Sequence, residues 1–133
     1  MLIAVSSTGQ DLNSQLDPRF GRCQYFVFVD SESMEFEAVE NPNMSASGGA
    51  GIKSAQMIAD RGTDVLLTGN CGPNAFQTLS AAGVQVVTTV SGTVRDAVES
   101  YKNDQIRATS GPNVAEYSGM GGIQQPGRGT GIG

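Results

Sequence analysis

The chain has 133 residues, enough for one core and short for two ordinary domains. Its 8 Lys and Arg against 13 Asp and Glu give a net charge of -5, and with no basic cluster the electrostatic footprint of nucleic-acid binding is missing. Histidine, the commonest metal ligand and general base, does not occur, and no apolar run is long enough to cross a bilayer, so a cytoplasmic protein with neither nucleic acid nor membrane as partner is expected.

LIAVS at 2–6 is short and apolar on both faces, as a central strand is. A long polar loop follows and reaches DPRFGRC at 17–23. YFVFVD at 25–30 reads as a second interior strand. MEFEAVE at 34–40 alternates instead, with Glu35 and Glu37 opposite Met34 and Phe36, which predicts a half-exposed edge strand. The DSES turn between the two makes them an antiparallel hairpin.

NPNMSASGGAG at 41–51 is a turn-rich linker into a helix, whose Ile52, Ala55, Ile58 and Ala59 repeat at helical spacing until Gly62 stops it. DVLLTG is the next buried strand. GPNAFQTLSAAG predicts a helix with Pro73 near its first position, an apolar face of Phe76, Leu79 and Ala82, and Gly83 as its stop. VQVVTT is the last strand. TVRDAVESY gives a third helix, with Thr93 as N-cap, Asp96 three positions on, and Val94, Ala97, Val98 and Tyr101 on one face.

Three strands followed by helices alternating with two more strands define a three-layer α/β fold. Right-handed crossovers predict a five-stranded mixed sheet in the order 3-2-1-4-5, the topology of the ribonuclease-H-like class. Residues 1–109 form this domain, and the glycine-rich stretch 110–133, without apolar periodicity, reads as a flexible tail.

Strand direction then selects a site. Cys23, the linker 41–49, GNCGPN at 69–74 and TVSGT at 89–93 all fall at one edge of the sheet, and all three helices begin there. Helix N-termini present unsatisfied N–H groups and partial positive charge, so their convergence favours an anion. Arg19 and Arg22 lie in the adjacent loop. The candidate binding residues are Arg19, Arg22, Ser47, Gly48, Gly49, Asn70, Cys71, Gly72, Asn74 and Gly92.

Cys71 stands just ahead of a helix N-terminus, where a thiolate is favoured. Cys23 lies two strands away, a Cα separation of roughly 10 Å at the ~4.8 Å strand spacing, too wide for a disulfide but within reach of a multi-atom ligand. The two are candidate metal ligands, Cys71 before Cys23. Either also reads as a small apolar filler of the core.

DPRFGRCQYFVFVD, NPNMSASGGAGIKSAQMIADRG and LLTGNCGPNAFQTLSAAGV together resemble the dinitrogenase iron-molybdenum cofactor biosynthesis family, over roughly 1–107 in order and spacing. The resemblance implies a ribonuclease-H-like fold that binds or carries anionic metal–sulfur clusters. It does not imply nuclease activity, for which the converging carboxylates are missing.

The expected function is therefore non-catalytic: binding, storage or delivery of a preassembled cluster containing molybdenum with copper, molybdenum with iron, or iron with sulfur alone. Two thiols cannot supply the four cysteines of a conventional iron–sulfur cluster, so the cargo brings its own sulfides or the site spans a dimer. A monomer or homodimer that meets cluster-assembly or acceptor proteins is expected. The alternative is a regulatory module binding a phosphate-bearing metabolite at the same edge, although no Walker-type GxxxxGK[ST] is present. A thiol enzyme using Cys71 ranks last, having neither histidine base nor resolving cysteine.

Overall fold

The apolar runs of the sequence become neighbouring strands because each must bury its backbone and both its faces. In the computed structural model, which describes residues 1–43, 49–108 and 111–112, β1 is Leu2–Ser7, β2 Tyr25–Asp30, β3 Phe36–Glu40, β4 Val65–Leu67 and β5 Gln85–Val87. They lie in the order β3-β2-β1-β4-β5. β1–β2 and β2–β3 are antiparallel, while β1–β4 and β4–β5 are parallel. The helices are α1 Ala50–Asp60, α2 Pro73–Ala81 and α3 Val94–Lys102. This is the predicted three-layer α/β fold.

Side chains alternate across the sheet with the period of 2 that a strand imposes. Ile3, Val5, Val27, Val29, Val65, Leu67 and Val87 pack on the α3 side with Val94, Ala97 and Val98. Ala4, Phe26, Phe28, Leu66 and Val86 pack on the other side against Ala55 and Ile58 of α1 and Ala75 and Leu79 of α2. The interior is thus two apolar layers separated by one sheet. Among the described residues no helix is long and apolar enough to cross a membrane.

Three local expectations need correction. The buried face of α2 is Ala75 and Leu79; Phe76 is only half-buried and Ala82 is exposed, because α2 packs on α1 as well as on the sheet and so turns Ala75 inward. The edge strand β3 is half-exposed as expected but starts at Phe36 rather than Met34, whose φ of 64 lies outside strand geometry. Phe36, opposite Val29, is 43% exposed, since an edge strand has a neighbour on one side only. The loop from Thr8 to Arg19 is a structural part of the molecule: Leu12 and Leu16 enter the α3-side core, and Leu16 and Gln15 bridge Ser7 and Thr93.

After this loop, Phe20–Arg22 form one turn of 3-10 helix. Its buried Phe20 ring lies 5.4 Å from that of Phe26, tilted by 55°. Most of the predicted tail lies outside the described residues, as do Ser47 and Gly48 of the predicted site.

Candidate anion-binding edge

α1 and α2 begin side by side at the expected edge. Their N-caps are Gly49, with φ 71, and Gly72; neither supplies a side-chain cap, and neither first turn holds an acid. A Cβ on Gly51 would lie 3.5 Å from the Cβ of Ala75, so the two helix starts are in near contact. The first-turn amides of both helices therefore contribute positive field to one small region. Pro73 contributes no donor there, having no N–H.

The third helix departs from the expectation. Thr93 Oγ1 accepts the N–H of Asp96 at 3.0 Å, and Asp96 Oδ2 accepts the N–H of Thr93 at 3.3 Å, closing a capping box. Val94 N donates to the Ser14 carbonyl and Arg95 N to the Leu12 carbonyl, each at 2.9 Å. The donors of α3 are spent internally and Asp96 places a negative charge among them. Gly92 therefore precedes a capped helix start rather than an open one, and its carbonyl accepts from Leu16 N at 2.9 Å.

The arginine loop is held against the open helix termini by close backbone packing. Asn70 N donates to the Pro18 carbonyl at 2.8 Å, and Arg19 and Asn70 form a parallel bridge. A Cβ on Gly69 would fall 2.5 Å from Pro18 Cβ, and one on Gly21 would fall 2.9 Å from Gly51 N. Only glycine permits these approaches. They bring Arg19, Arg22, Gly49, Asn70, Gly72 and Asn74 to one surface, with Arg22, Asn70 and Asn74 exposed.

Arg19 is oriented by Asp17, which lies outside the predicted set of binding residues. The Asp17 side chain, 3% exposed against 66% for Arg19, accepts Arg19 Nε at 3.1 Å, Nη2 at 2.9 Å and the backbone N–H at 2.9 Å. Burial pushes the Asp17 pKa up, but the Arg19 hydrogen bonds and charge outweigh it and hold the carboxyl below its usual range. The pair offers an ordered guanidinium while cancelling much of its net charge.

Asn41 is a second such residue. Its amide donates to the carbonyls of Gly21 at 3.2 Å and Cys23 at 2.9 Å. Its Oδ1 accepts Ser54 Oγ at 3.4 Å, tying the linker, the arginine loop and α1 together. Its sequence signal is the Asn41-Pro42 pair, which by itself predicts a turn.

The expected Cys71 thiolate is overturned by burial. Cys71 is 1% exposed and Cys23 0%, and both belong to the core between the sheet and α1–α2. Burial pushes each thiol up to about 12, because loss of hydration disfavours the charged thiolate. Cys23 Sγ donates to the Phe20 carbonyl at 3.2 Å. Neither cysteine is in a disulfide. In this conformation both thiols form the floor beneath the edge rather than its surface.

Among the described residues no group of three or more His, Cys, Asp and Glu side chains is arranged to hold a metal ion. The donor set instead offers N–H groups, amides and guanidinium. That set suits an anion carrying its own metal ligands and does not suit a bare cation.

Comparison with known proteins bears on the same residues. The family described as "Dinitrogenase iron-molybdenum cofactor" matches residues 1–104. The apo form of the orange protein from Desulfovibrio gigas superposes with a TM-score of 0.82 at 46% identity, over 84% of this chain and 95% of that one. A Thermotoga protein described as a NifB candidate gives a TM-score of 0.70 at 38% identity, over 80% of this chain and 91% of that one. An uncharacterised protein of Methanocaldococcus jannaschii is 35% identical over 77 residues, which are 56% of this chain and 65% of that protein. The match thus spans just under two thirds of the latter's length.

Proposed function

The chain belongs to the dinitrogenase iron-molybdenum cofactor family, and from that premise we propose that it binds and carries a preassembled, anionic metal–sulfur cluster at the loop edge, without catalysing a reaction on it. One observation carries the reading. The two adjacent helix N-termini beside Arg19 and Arg22 have glycine N-caps and no acidic first turn, whereas the helix that stands apart from them has a complete capping box. The open termini are those that lie beside the arginine loop in space, Arg19 meeting Asn70 and Gly21 meeting Gly51.

The cluster's sulfides would accept N–H groups from the first turns of α1 and α2, from the Asn70 and Asn74 amides, and from Arg19 and Arg22. The metals are molybdenum with copper, molybdenum with iron, or iron alone, held by the cluster's own sulfides. The likeness to the orange protein, whose structure was solved as an apo form, supports a site that fills and empties. The proposal requires cluster-assembly or acceptor proteins as partners.

The test is anaerobic incubation with tetrathiomolybdate together with Cu(I) or Fe(II), followed by desalting, metal analysis and a visible spectrum. Stoichiometric metal with sulfide charge-transfer bands is expected. Gly72→Asp is the discriminating variant. Its backbone, φ -79 and ψ 173, is one any residue adopts, and aspartate is a favoured N-cap, so the fold is retained while the carboxylate repels the cargo. Thr93→Ala weakens α3 and leaves uptake unchanged. A wild-type protein that stays colourless and takes up no metal overturns the proposal; if its Tm then rises with a nucleotide, the edge serves a phosphate instead.

A further inference from the structure

The negative charge of the chain is concentrated in one place. Asp30, Glu32, Glu35, Glu37 and Glu40 fall between positions 30 and 40, with no Lys or Arg among them. Removing these five from the 13 acids leaves eight, equal to the eight bases of the chain. The β2–β3 hairpin therefore carries the whole net charge of -5, and the rest of the protein is balanced.

The same hairpin presents an open strand edge. Among the described strands β3 pairs with β2 alone. The bonds from Asp30 N to the Glu35 carbonyl and from Asn41 N to the Gln24 carbonyl, both 2.9 Å, bracket the ladder. Antiparallel pairs alternate between bonded and non-bonded, so Glu35, Glu37, Val39 and Asn41 bond toward β2. Phe36, Ala38 and Glu40 consequently turn their N–H and C=O groups outward.

Apolar surface accompanies those groups. Phe36 is 43% exposed and borders a groove of about 530 Å³ between Leu2, Phe28, Glu35, Glu37 and Arg61. The groove already holds one cation of the chain's own. The Arg61 guanidinium lies 4.5 Å from the centroid of the Phe28 ring, and Nη2 meets Glu37 Oε1 at 2.7 Å.

Charged edges ordinarily keep a sheet from pairing with its own copies. A second copy of this chain would set one all-acidic hairpin against another, and like charges on facing strands are destabilising. A basic strand meets the opposite condition. We propose that the outer edge of β3 is a docking strip for an extended, Lys- or Arg-bearing segment of a partner protein, which adds to the sheet as a sixth strand. Its main chain bonds Phe36, Ala38 and Glu40, and its basic side chains meet the hairpin acids. The inference stands whether or not the loop edge carries a cluster.

The test titrates the full chain with a labelled octapeptide of alternating lysine and valine, and with its glutamate–valine counterpart, following anisotropy and amide NMR shifts. The lysine peptide is expected to bind, with shifts at Phe36, Ala38 and Glu40. Ala38→Pro removes an outward N–H where an edge strand tolerates proline, and should weaken binding by about tenfold or more. The double variant Glu35→Lys with Glu40→Lys leaves three acids against two lysines in the hairpin and should abolish most of the preference for the lysine peptide, and it decides the matter if Ala38→Pro does not fold. Equal binding of both peptides by the wild type, or undiminished binding by Ala38→Pro, overturns the proposal. So does a wild-type dimer in sedimentation that Ala38→Pro abolishes, which would assign the edge to a second copy.

Discussion

Cys71 shows how two effects at one residue are ranked by magnitude. The field of a helix N-terminus is worth about half a unit charge spread over a turn, while the burial of Cys71 strips a thiolate of its hydration and pushes the thiol up to about 12. A thiol raised from 9.0 to about 12 on folding favours the native state only while the unfolded thiol is also protonated. Stability should therefore be level up to about pH 9 and fall between there and about pH 12, since the unfolded chain binds fewer protons in that window. Urea midpoints measured across alkaline pH check this, and the Cys23→Ala, Cys71→Ala double variant should show a shallower decline. Native-state labelling by a thiol reagent at pH 8 should be slow for both cysteines and become fast on unfolding. Rapid native labelling of Cys71 would show that the thiol reaches the surface.

At the scale of the element, the site depends on backbones packed too closely for side chains at two positions and not at a third. Gly51 lies inside α1, and its added Cβ would make an ordinary 3.5 Å contact with Ala75. Gly51→Ala should stabilise by about 0.5–1 kcal/mol through helix propensity and lost unfolded-state entropy. Gly69→Ala would set a Cβ 2.5 Å from Pro18 Cβ, with backbone at 2.6 Å, and should cost about 1–3 kcal/mol as the arginine loop is pushed off Asn70. Denaturant midpoints of the two variants settle the comparison. Opposite signs support the packing described, and equal losses would mean that the start of α1 cannot accept a methyl group.

For the whole molecule, the sheet order predicts a gradient of local stability. β1 is bonded on both sides and buried on both faces, so its amides should exchange with solvent only through global unfolding. β3 should exchange in alternation, with Phe36, Ala38 and Glu40 fast and Glu37 and Val39 slower. Hydrogen exchange followed by NMR reads this pattern directly. Uniform protection along β3 would mean that its outer edge is already covered.

The strand order, the two-faced sheet, the hairpin at one edge and the capping box of α3 were all written locally, in apolar runs, turn residues and the Thr93–Asp96 spacing, because secondary-structure period and crossover handedness act over a few residues at a time. The sequence alone also shows that the chain has no histidine and no cluster of Lys and Arg. That the start of α3 is closed by the Leu12 and Ser14 carbonyls as well as by its own capping box was decided only by tertiary structure. The loop near Leu12 and Ser14 returns to bond the start of α3 across roughly 80 residues of chain, a separation over which no sequence period acts. The same holds for Asp17, buried under Arg19, and for the two cysteines. Their protonation follows from how much water the surrounding core removes, and that quantity exists only once distant segments have packed together.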